Sequence, residues 1–252
     1  MPDQPLVLIL TPVKDAIHFL DGYFSSIANL DYPPDRIAIG ILESDSRDGT
    51  YESLLTRLPD LHQRYRRVGV WKRDYGFIIR EGMPRYEHSI QVRRRSILAK
   101  SRNQLLFRAL QDEDWVLWLD VDVIEYPPDL IPCLLETQRQ IVHPHCVREY
   151  GGRTFDLNAW RENGSLHMEQ LRSEGSLVPL DSVGGTALWV NADCHRDGLI
   201  FPSYPYGIGN NKIRTQNHWL GEIETEGFGI MAHDMGIQPW GMPLLEIKHS
   251  EH

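Results

Sequence analysis

Four short apolar runs, each separated from the next by a helix-like stretch, constrain this chain more than any other feature. Leu6 to Leu10 stops at Thr11-Pro12, and Ile37 to Leu42 stops at Glu43-Ser-Asp-Ser46. Val68 to Trp71 follows, and Trp115-Val-Leu-Trp-Leu119 runs directly into Asp120-Val-Asp122. Runs of this length, bounded by turn residues and rich in β-branched and aromatic side chains, read as buried strands. Between them, His18-Phe-Leu20, Tyr23-Phe24, Ile27 and Leu30 recur at helical spacing until Pro33-Pro34 intervenes. Asp48-Gly-Thr50 opens a second helix, and a third is expected from about Glu87 to Leu110. Strands alternating with helices in this way predict right-handed βαβ units, hence an α/β fold with a mostly parallel, Rossmann-type sheet flanked by helices. Ligands of such sheets gather beyond the carboxyl ends of the strands.

The second half of the chain is less regular. Ile141 to Val147 is a candidate strand, residues 150–180 are polar with little periodicity, and Gly184-Gly185 feeds a strand ending at Val190. Residues 202–211 read as a proline-glycine loop carrying Tyr204 and Tyr206, with acceptor stacking and ordinary packing both open for the two tyrosines. Trp219 to Met235 is expected to be helical, and Gly241 to His249 a final strand. No internal repeat or low-complexity linker appears, so residues 1–252 read as a single domain.

Charge and cysteine content narrow the function classes. A net charge of −9 argues against nucleic acid or an anionic membrane surface as the main partner. Within this acidic chain, Arg85, Arg93, Arg94, Arg95, Lys100, Arg102 and Arg108 cluster against a single acid, Glu87, which points to a local anion site such as a phosphate. Cys133, Cys146 and Cys194 form no CxxC pair, which fits a reducing compartment. The N-terminus offers five consecutive apolar residues before Thr11 and no positive leader, so neither a signal peptide nor a membrane span is read there and a cytoplasmic location is expected.

Asp120 and Asp122 are the central candidates. Two strand residues two apart share a face, roughly 6 to 7 Å apart along the chain, and their carboxylates repel unless a cation or donor compensates them. Hard oxygen ligands suit Mg²⁺ or Mn²⁺, and a third ligand from His249 would favour Mn²⁺. The competing reading is a strand that surfaces into a polar turn, with His249 a frayed terminal side chain. His143 and His145, in HPHC, could mimic a metal pair, a reading the sequence does not favour. On the third helix, Leu98, Leu105, Leu106, Ala109 and Leu110 form a core-facing stripe, and the charges mostly lie off it. Ser101-Arg102-Asn103 sits awkwardly in mid-helix unless its side chains hold a ribose or diphosphate. Asp45 stands where a sheet edge meets a nucleobase or ribose, or else it only builds a turn. Thr11 and Pro12 lie at the matching end of the first strand and could frame the base with backbone groups. GxxxxGK[ST], GxGxxG and GxSxG are all missing, which argues against P-loop enzymes, standard dinucleotide binders and esterases.

Four segments together resemble one family: ILTPVKDAIHFLDGYF, ILESDSRDGT, the RRR…AKSRN helix running into WVLWLDVDV, and ETEGFGIMAHDMGIQPWGMPLLEIKH. They are similar to the Anp-type mannosyltransferases of fungal Golgi mannan polymerases, which have the GT-A glycosyltransferase fold. The resemblance implies a nucleotide-binding half over residues 1–125 and an acceptor-binding half over residues 126–252. It also implies GDP-mannose as donor, Mn²⁺ or Mg²⁺ as cofactor, a glycan or small-molecule acceptor, and transfer with retention. Carried onto this chain, Asp122 is the principal metal ligand, Asp120 lies by the ribose and metal, and His249 completes the metal shell. Asp45 and Arg102 help hold the nucleotide, Glu226 in ETEG lies by the acceptor hydroxyl, and Gly184 and Gly185 let the backbone pass close to the sugar. Three alternatives stay open: a GT-A enzyme using another nucleotide-sugar, a non-catalytic nucleotide- or glycan-binding protein on this fold, and a sugar-nucleotide pyrophosphorylase. The last would normally carry a glycine-rich loop after the first strand, and TPVKDAIHF has no glycine. The oligomeric state is not legible.

Overall fold

The structure, a computed structural model, describes residues 4–78, 88–208 and 221–250, with no account of the side chains of 88 and 89. Expectations that touch Arg85, Glu87, residues 79–86, 209–211 and 219–220 therefore fall wholly or partly outside it.

The first three βα units form as their periodicity predicts. Strand β1 (Val7–Val13) is followed by α1 (Leu20–Ala28), β2 (Ile37–Glu43) by α2 (Thr50–Arg64), and β3 (Arg67–Lys72) by α3 (His88–Ala109). Then come β4 (Trp115–Leu119), β5 (Val123–Glu125), α4 (Leu130–Glu136) and β6 (Ile141–Val147). The stretch 150–180 holds a small hairpin, β7 (Trp160–Arg161) with β8 (Leu166–His167), then α5 (Met168–Leu171) and β9 (Val178–Pro179). Finally β10 (Ala187–Asn191), α6 (Ala192–Arg196), α7 (Glu224–Asp234) and β11 (Trp240–His249) complete the chain. Helix α7 starts later than the apolar pattern around Trp219 suggested, because Glu222 and Ile223 are extended and Glu222 bridges to Tyr206.

The main sheet runs β3-β2-β1-β4-β10-β6-β11-β5, with β9 paired to β11. Pairing among β1 to β4 is parallel, whereas β10 lies antiparallel to both β4 and β6. The chain steps outward from β1 to β3 and then returns to place β4 on the far side of β1. Right-handed crossovers put helices on opposite faces for the two directions of travel. Accordingly Val7 and Ile9 pack with Leu20, Tyr23, Ile27, Leu54 and Leu61 of α1 and α2. Leu8 and Leu10 pack on the other face with Ala99, Leu105, Leu106 and Ala109 of α3, and with Phe228 of α7. The reversal opens a crevice at the carboxyl ends of β1 and β4, the usual ligand position in such sheets.

One close approach fixes how α3 lies on the sheet. A Cβ on Gly40 would stand 2.7 Å from Leu10 Cδ2 and 2.9 Å from Ala109 Cβ. Overpacking of this kind costs about 1 to 3 kcal/mol. Gly40→Ala is expected to lower stability by that amount in urea unfolding, with the slope of the transition unchanged.

Candidate active site

The Asp-Val-Asp segment does not continue β4. The strand ends at Leu119, and a turn closed by Val123 N donating to Asp120 O (3.2 Å) carries the chain into β5. Strand alternation therefore does not orient the two carboxylates, contrary to the expectation above; this turn does. Its start is anchored by Asp120 N donating to Thr186 O (2.9 Å), since β10 pairs Ala187 with Leu119.

Asp122 meets His249 through sheet register. In the antiparallel pair of β11 and β5, His249 aligns with Val123, and Ser250 N donates to Asp122 O (2.9 Å). His249 Nε2 then lies 3.2 Å from Asp122 Oδ1, while Nδ1 lies 2.8 Å from Ser250 O and the ring stacks on Phe155 at 3.9 Å. His249, at the end of β11, is thus buried and held from three sides. Burial would lower its pKa, but the hydrogen bond and charge of Asp122 raise it further than burial lowers it.

Asp120 faces Arg102. The guanidinium is 1% exposed in the middle of α3, so one charge lies within the buried stripe of that helix rather than off it. Arg102 Nε donates to Glu224 Oε1 (3.0 Å), and Nη2 donates to Asp120 Oδ1 (3.1 Å) and Gly185 O (3.1 Å). The rings of Trp118 and Phe201 stand 5.5 and 5.4 Å from its central carbon. A quarter of the Asp120 side chain reaches solvent, yet the surrounding protein desolvates it and pushes its pKa up to about 7. Arg102 pulls that value down, and Asp122 and Glu224 push it up again.

A second buried carboxylate, absent from the sequence reading, shapes the neighbouring loop. Asp156 Oδ2 accepts from Gly185 N (2.8 Å), Thr186 N (3.1 Å) and Thr186 Oγ1 (2.9 Å), and His143 Nε2 lies 3.6 Å away. A Cβ on Gly184 would overlap the Asp156 carboxylate, and one on Gly185 would come within 2.5 Å of Arg102 Nη2. Both glycines are therefore required by charged side chains of the protein itself. Burial would raise the Asp156 pKa, but His143 and the donors of Thr186 outweigh it and hold the carboxyl well below the usual range.

The other candidates are distributed as follows. Thr11 is buried, its hydroxyl donating to Leu119 O (2.7 Å) and meeting Tyr23 Oη at 2.5 Å, so its side chain braces β1 against the end of β4. Pro12 pairs with Leu42 in the parallel register of β1 and β2. Asp45 adopts a left-handed φ of 56°, and its carboxylate accepts from Tyr75 N (3.0 Å) and Gly76 N (2.9 Å), organising the loop after β3. Asn103 exchanges two hydrogen bonds with the backbone of Phe201 (2.6 and 2.9 Å), which accounts for an asparagine in mid-helix. Glu226 lies in the first turn of α7, accepts from Trp160 Nε1 (3.0 Å) and pairs with Arg95 (2.7 Å). Tyr206 packs with Trp160 and Ile230, while Tyr204 is exposed. His145 is taken up by Thr154 and Pro243 O, away from any metal role.

No three His, Cys, Asp or Glu side chains close around one point as a ready cage among the described residues. The donor set nevertheless fits a divalent cation that keeps positions for water and phosphate oxygens, as Mg²⁺ and Mn²⁺ do. Two carboxylates raise each other's energy, and a metal-ligating histidine usually has its second nitrogen held by a carbonyl, as Ser250 O holds His249 Nδ1 here.

Comparison with known proteins gives the family and the fold. A family model described as Anp1 matches residues 1–173 and 164–205. The anp1 subunit of the mannan polymerase II complex of Schizosaccharomyces pombe is 29% identical over 285 residues, covering 96% of this chain and 63% of that protein. The mannan polymerase complex subunit mnn9 of the same organism is 29% identical, covering 96% of this chain and 79% of its own length. Among solved structures, the mannosyltransferase PcManGT of Pyrobaculum calidifontis, in complex with GDP-Man and Mn²⁺, superposes with a TM-score of 0.62 at 14% identity, over 99% of this chain and 58% of that one. GalNAc-T7, with UDP, GalNAc and Mn²⁺, gives a TM-score of 0.53 at 12% identity, over 100% of this chain and 45% of that one. The fold is therefore that of GT-A glycosyltransferases.

Asp156 lends itself to a direct measurement. Because its folded pKa is depressed, the stability it contributes is fully present above the unfolded carboxyl value near 4 and is lost as pH falls below that value. Asp156→Asn is expected to cost about 1 to 3 kcal/mol near neutral pH. Urea unfolding across pH should show the gap from wild type shrinking as the pH drops below about 4.

Proposed function

The chain belongs to the Anp1 family, and on that premise we propose that it is a metal-dependent glycosyltransferase that moves mannose from GDP-mannose to a hydroxyl of a glycan or small acceptor, with retention. The observation that carries the reading is the pairing of His249 with Asp122 in the turn after β4 that Asp120 opens, with His249 held by Ser250 O. In this reading residues 1–125 bind the nucleotide and residues 126–252 form the acceptor side.

Asp120, Asp122 and His249 would hold the cation, Mn²⁺ in preference to Mg²⁺ because of the imidazole. A divalent ion bound there supplies Lewis-acid stabilisation of the charge that develops on the diphosphate as the glycosidic bond breaks. Arg102 is buried, so it serves the nucleotide by fixing Asp120 and Gly185 O rather than by touching phosphate. Asp45 orders residues 75 and 76, where the base and ribose are expected, with Pro12 at the same end of β1 and the buried Thr11 bracing that end from within. Glu226, paired with Arg95, would orient the acceptor hydroxyl. No second carboxylate is assigned as nucleophile, so front-face attack, with the leaving phosphate accepting the hydroxyl proton, fits this site.

The curated relatives are described as subunits of mannan polymerase complexes, and this chain spans 63% of the anp1 subunit's length. Association with a partner chain is part of the same proposal. Among the described residues no helix is long and apolar enough to cross a membrane.

Calorimetric titration of GDP-mannose with and without Mn²⁺ tests the reading, with UDP-glucose as control. Wild type should bind GDP-mannose only with Mn²⁺, and Asp122→Ala should lose that binding. Preference for UDP-glucose would move the donor assignment to another nucleotide-sugar, and metal-independent binding would overturn the metal site. Glu226→Gln should retain donor binding while mannosyl transfer to acceptor falls by about a hundredfold, the scale of losing one well-placed polar group. Donor binding without any GDP release in the presence of acceptors would favour a binding protein.

A further inference from the structure

Glu224 has no place in the site as read from the sequence, yet it combines burial with a left-handed backbone. It is buried, and its φ of 61° lies in the left-handed region that side-chain-bearing residues avoid. Such strain persists only where surrounding interactions over-determine it. Three interactions hold it: Glu224 Oε1 accepts from Arg102 Nε (3.0 Å), Oε2 from Thr225 Oγ1 (3.2 Å), and its backbone N donates to Pro202 O (2.8 Å).

One carboxylate, Asp120, would suffice to neutralise Arg102. The structure supplies two, Asp120 on Nη2 and Glu224 on Nε. The guanidinium cannot swing to favour either partner, because Trp118 and Phe201 flank it and Gly185 O takes a further bond from Nη2. Arg102 therefore shares its charge between the two acids, and Asp120 keeps part of its own for another cation. Glu224 also sits at the start of α7, two residues from Glu226. A change in its hold on Arg102 would be felt on both the donor and the acceptor side.

We propose that Glu224 is a positioning residue that sets the cation affinity of the Asp120–Asp122 pair by drawing Arg102 away from full neutralisation of Asp120. This rests on the reading in which Asp120, Asp122 and His249 hold a divalent ion. The groups that face the trio include Asp122 and His249 as well, and neither changes in the variants that test the role of Glu224.

The test is calorimetric titration of Mn²⁺ alone into the full chain, for wild type, Glu224→Gln, Glu224→Asp and Asp122→Ala, with thermal unfolding as the check on folding. Glu224→Gln keeps an acceptor for Arg102 Nε and removes the charge, so Mn²⁺ affinity should fall at least about tenfold. Glu224→Asp keeps the charge on a shorter arm and should stay within about threefold of wild type. If Asp122→Ala abolishes binding while Glu224→Gln matches wild type, the role of Glu224 is overturned and the metal site stands. If wild type fails to bind Mn²⁺, or Asp122→Ala binds it unchanged, the metal site itself falls and this role with it. Should Glu224→Gln not fold, Glu224→Asp decides: a purely structural contact predicts a loss of affinity as the Nε bond breaks, and charge sharing predicts none.

Discussion

A guanidinium buried in the middle of a helix is expensive to desolvate, and the region around Arg102 is organised by that cost. Several kcal/mol of lost hydration must be offset by well-placed acceptors. Asp120, Glu224 and Gly185 O provide them, with the faces of Trp118 and Phe201 alongside. These partners come from the end of β4, the start of α7, the loop before β10 and the segment after α6. One side chain on α3 thus ties together parts of the chain as far apart as residues 102 and 224. Removing any one acceptor would leave a buried charge underpaired, so the group stands or falls together.

Asp156 does the complementary work with the opposite sign. It enters from the irregular stretch before β7 and gathers the amides of Gly185 and Thr186 on one oxygen. Gly184 and Gly185 lie between this carboxylate and Arg102, and neither has room for a Cβ. The loop that flanks Asp120 is therefore set by an anion on one side and a cation on the other. A loop clamped in this way keeps its carbonyls and amides in fixed positions, a preorganisation that charge-developing reactions require.

The approach of His249 to Asp122 depends on a different constraint. Strand β11 runs parallel to β6 and shifts register between Met242 and Glu246, then pairs antiparallel with β5. That path delivers the last residues of the strand beside the turn that follows β4. The histidine is fixed by Ser250 O and by Phe155, so its ring orientation is set before any ligand arrives.

The alternation of apolar runs and helical periods determined the first half of the fold, because each βα unit buries its own stripe locally and the handedness of crossovers leaves few arrangements. The Asp-Val-Asp segment and His249 were also visible as residue types that sit poorly in a core, and Glu226 through the family resemblance. Only the tertiary structure decided which of them meet. Val123 and His249 pair across 126 residues of chain, a register that no local pattern encodes. Arg102 looked like one charge among several on a basic helix, and its burial follows from acceptors contributed by distant segments. Asp156 and Glu224 gave no signal of their own, since a single acid in a polar stretch is ordinary until a buried cation or a set of orphan amides is folded against it.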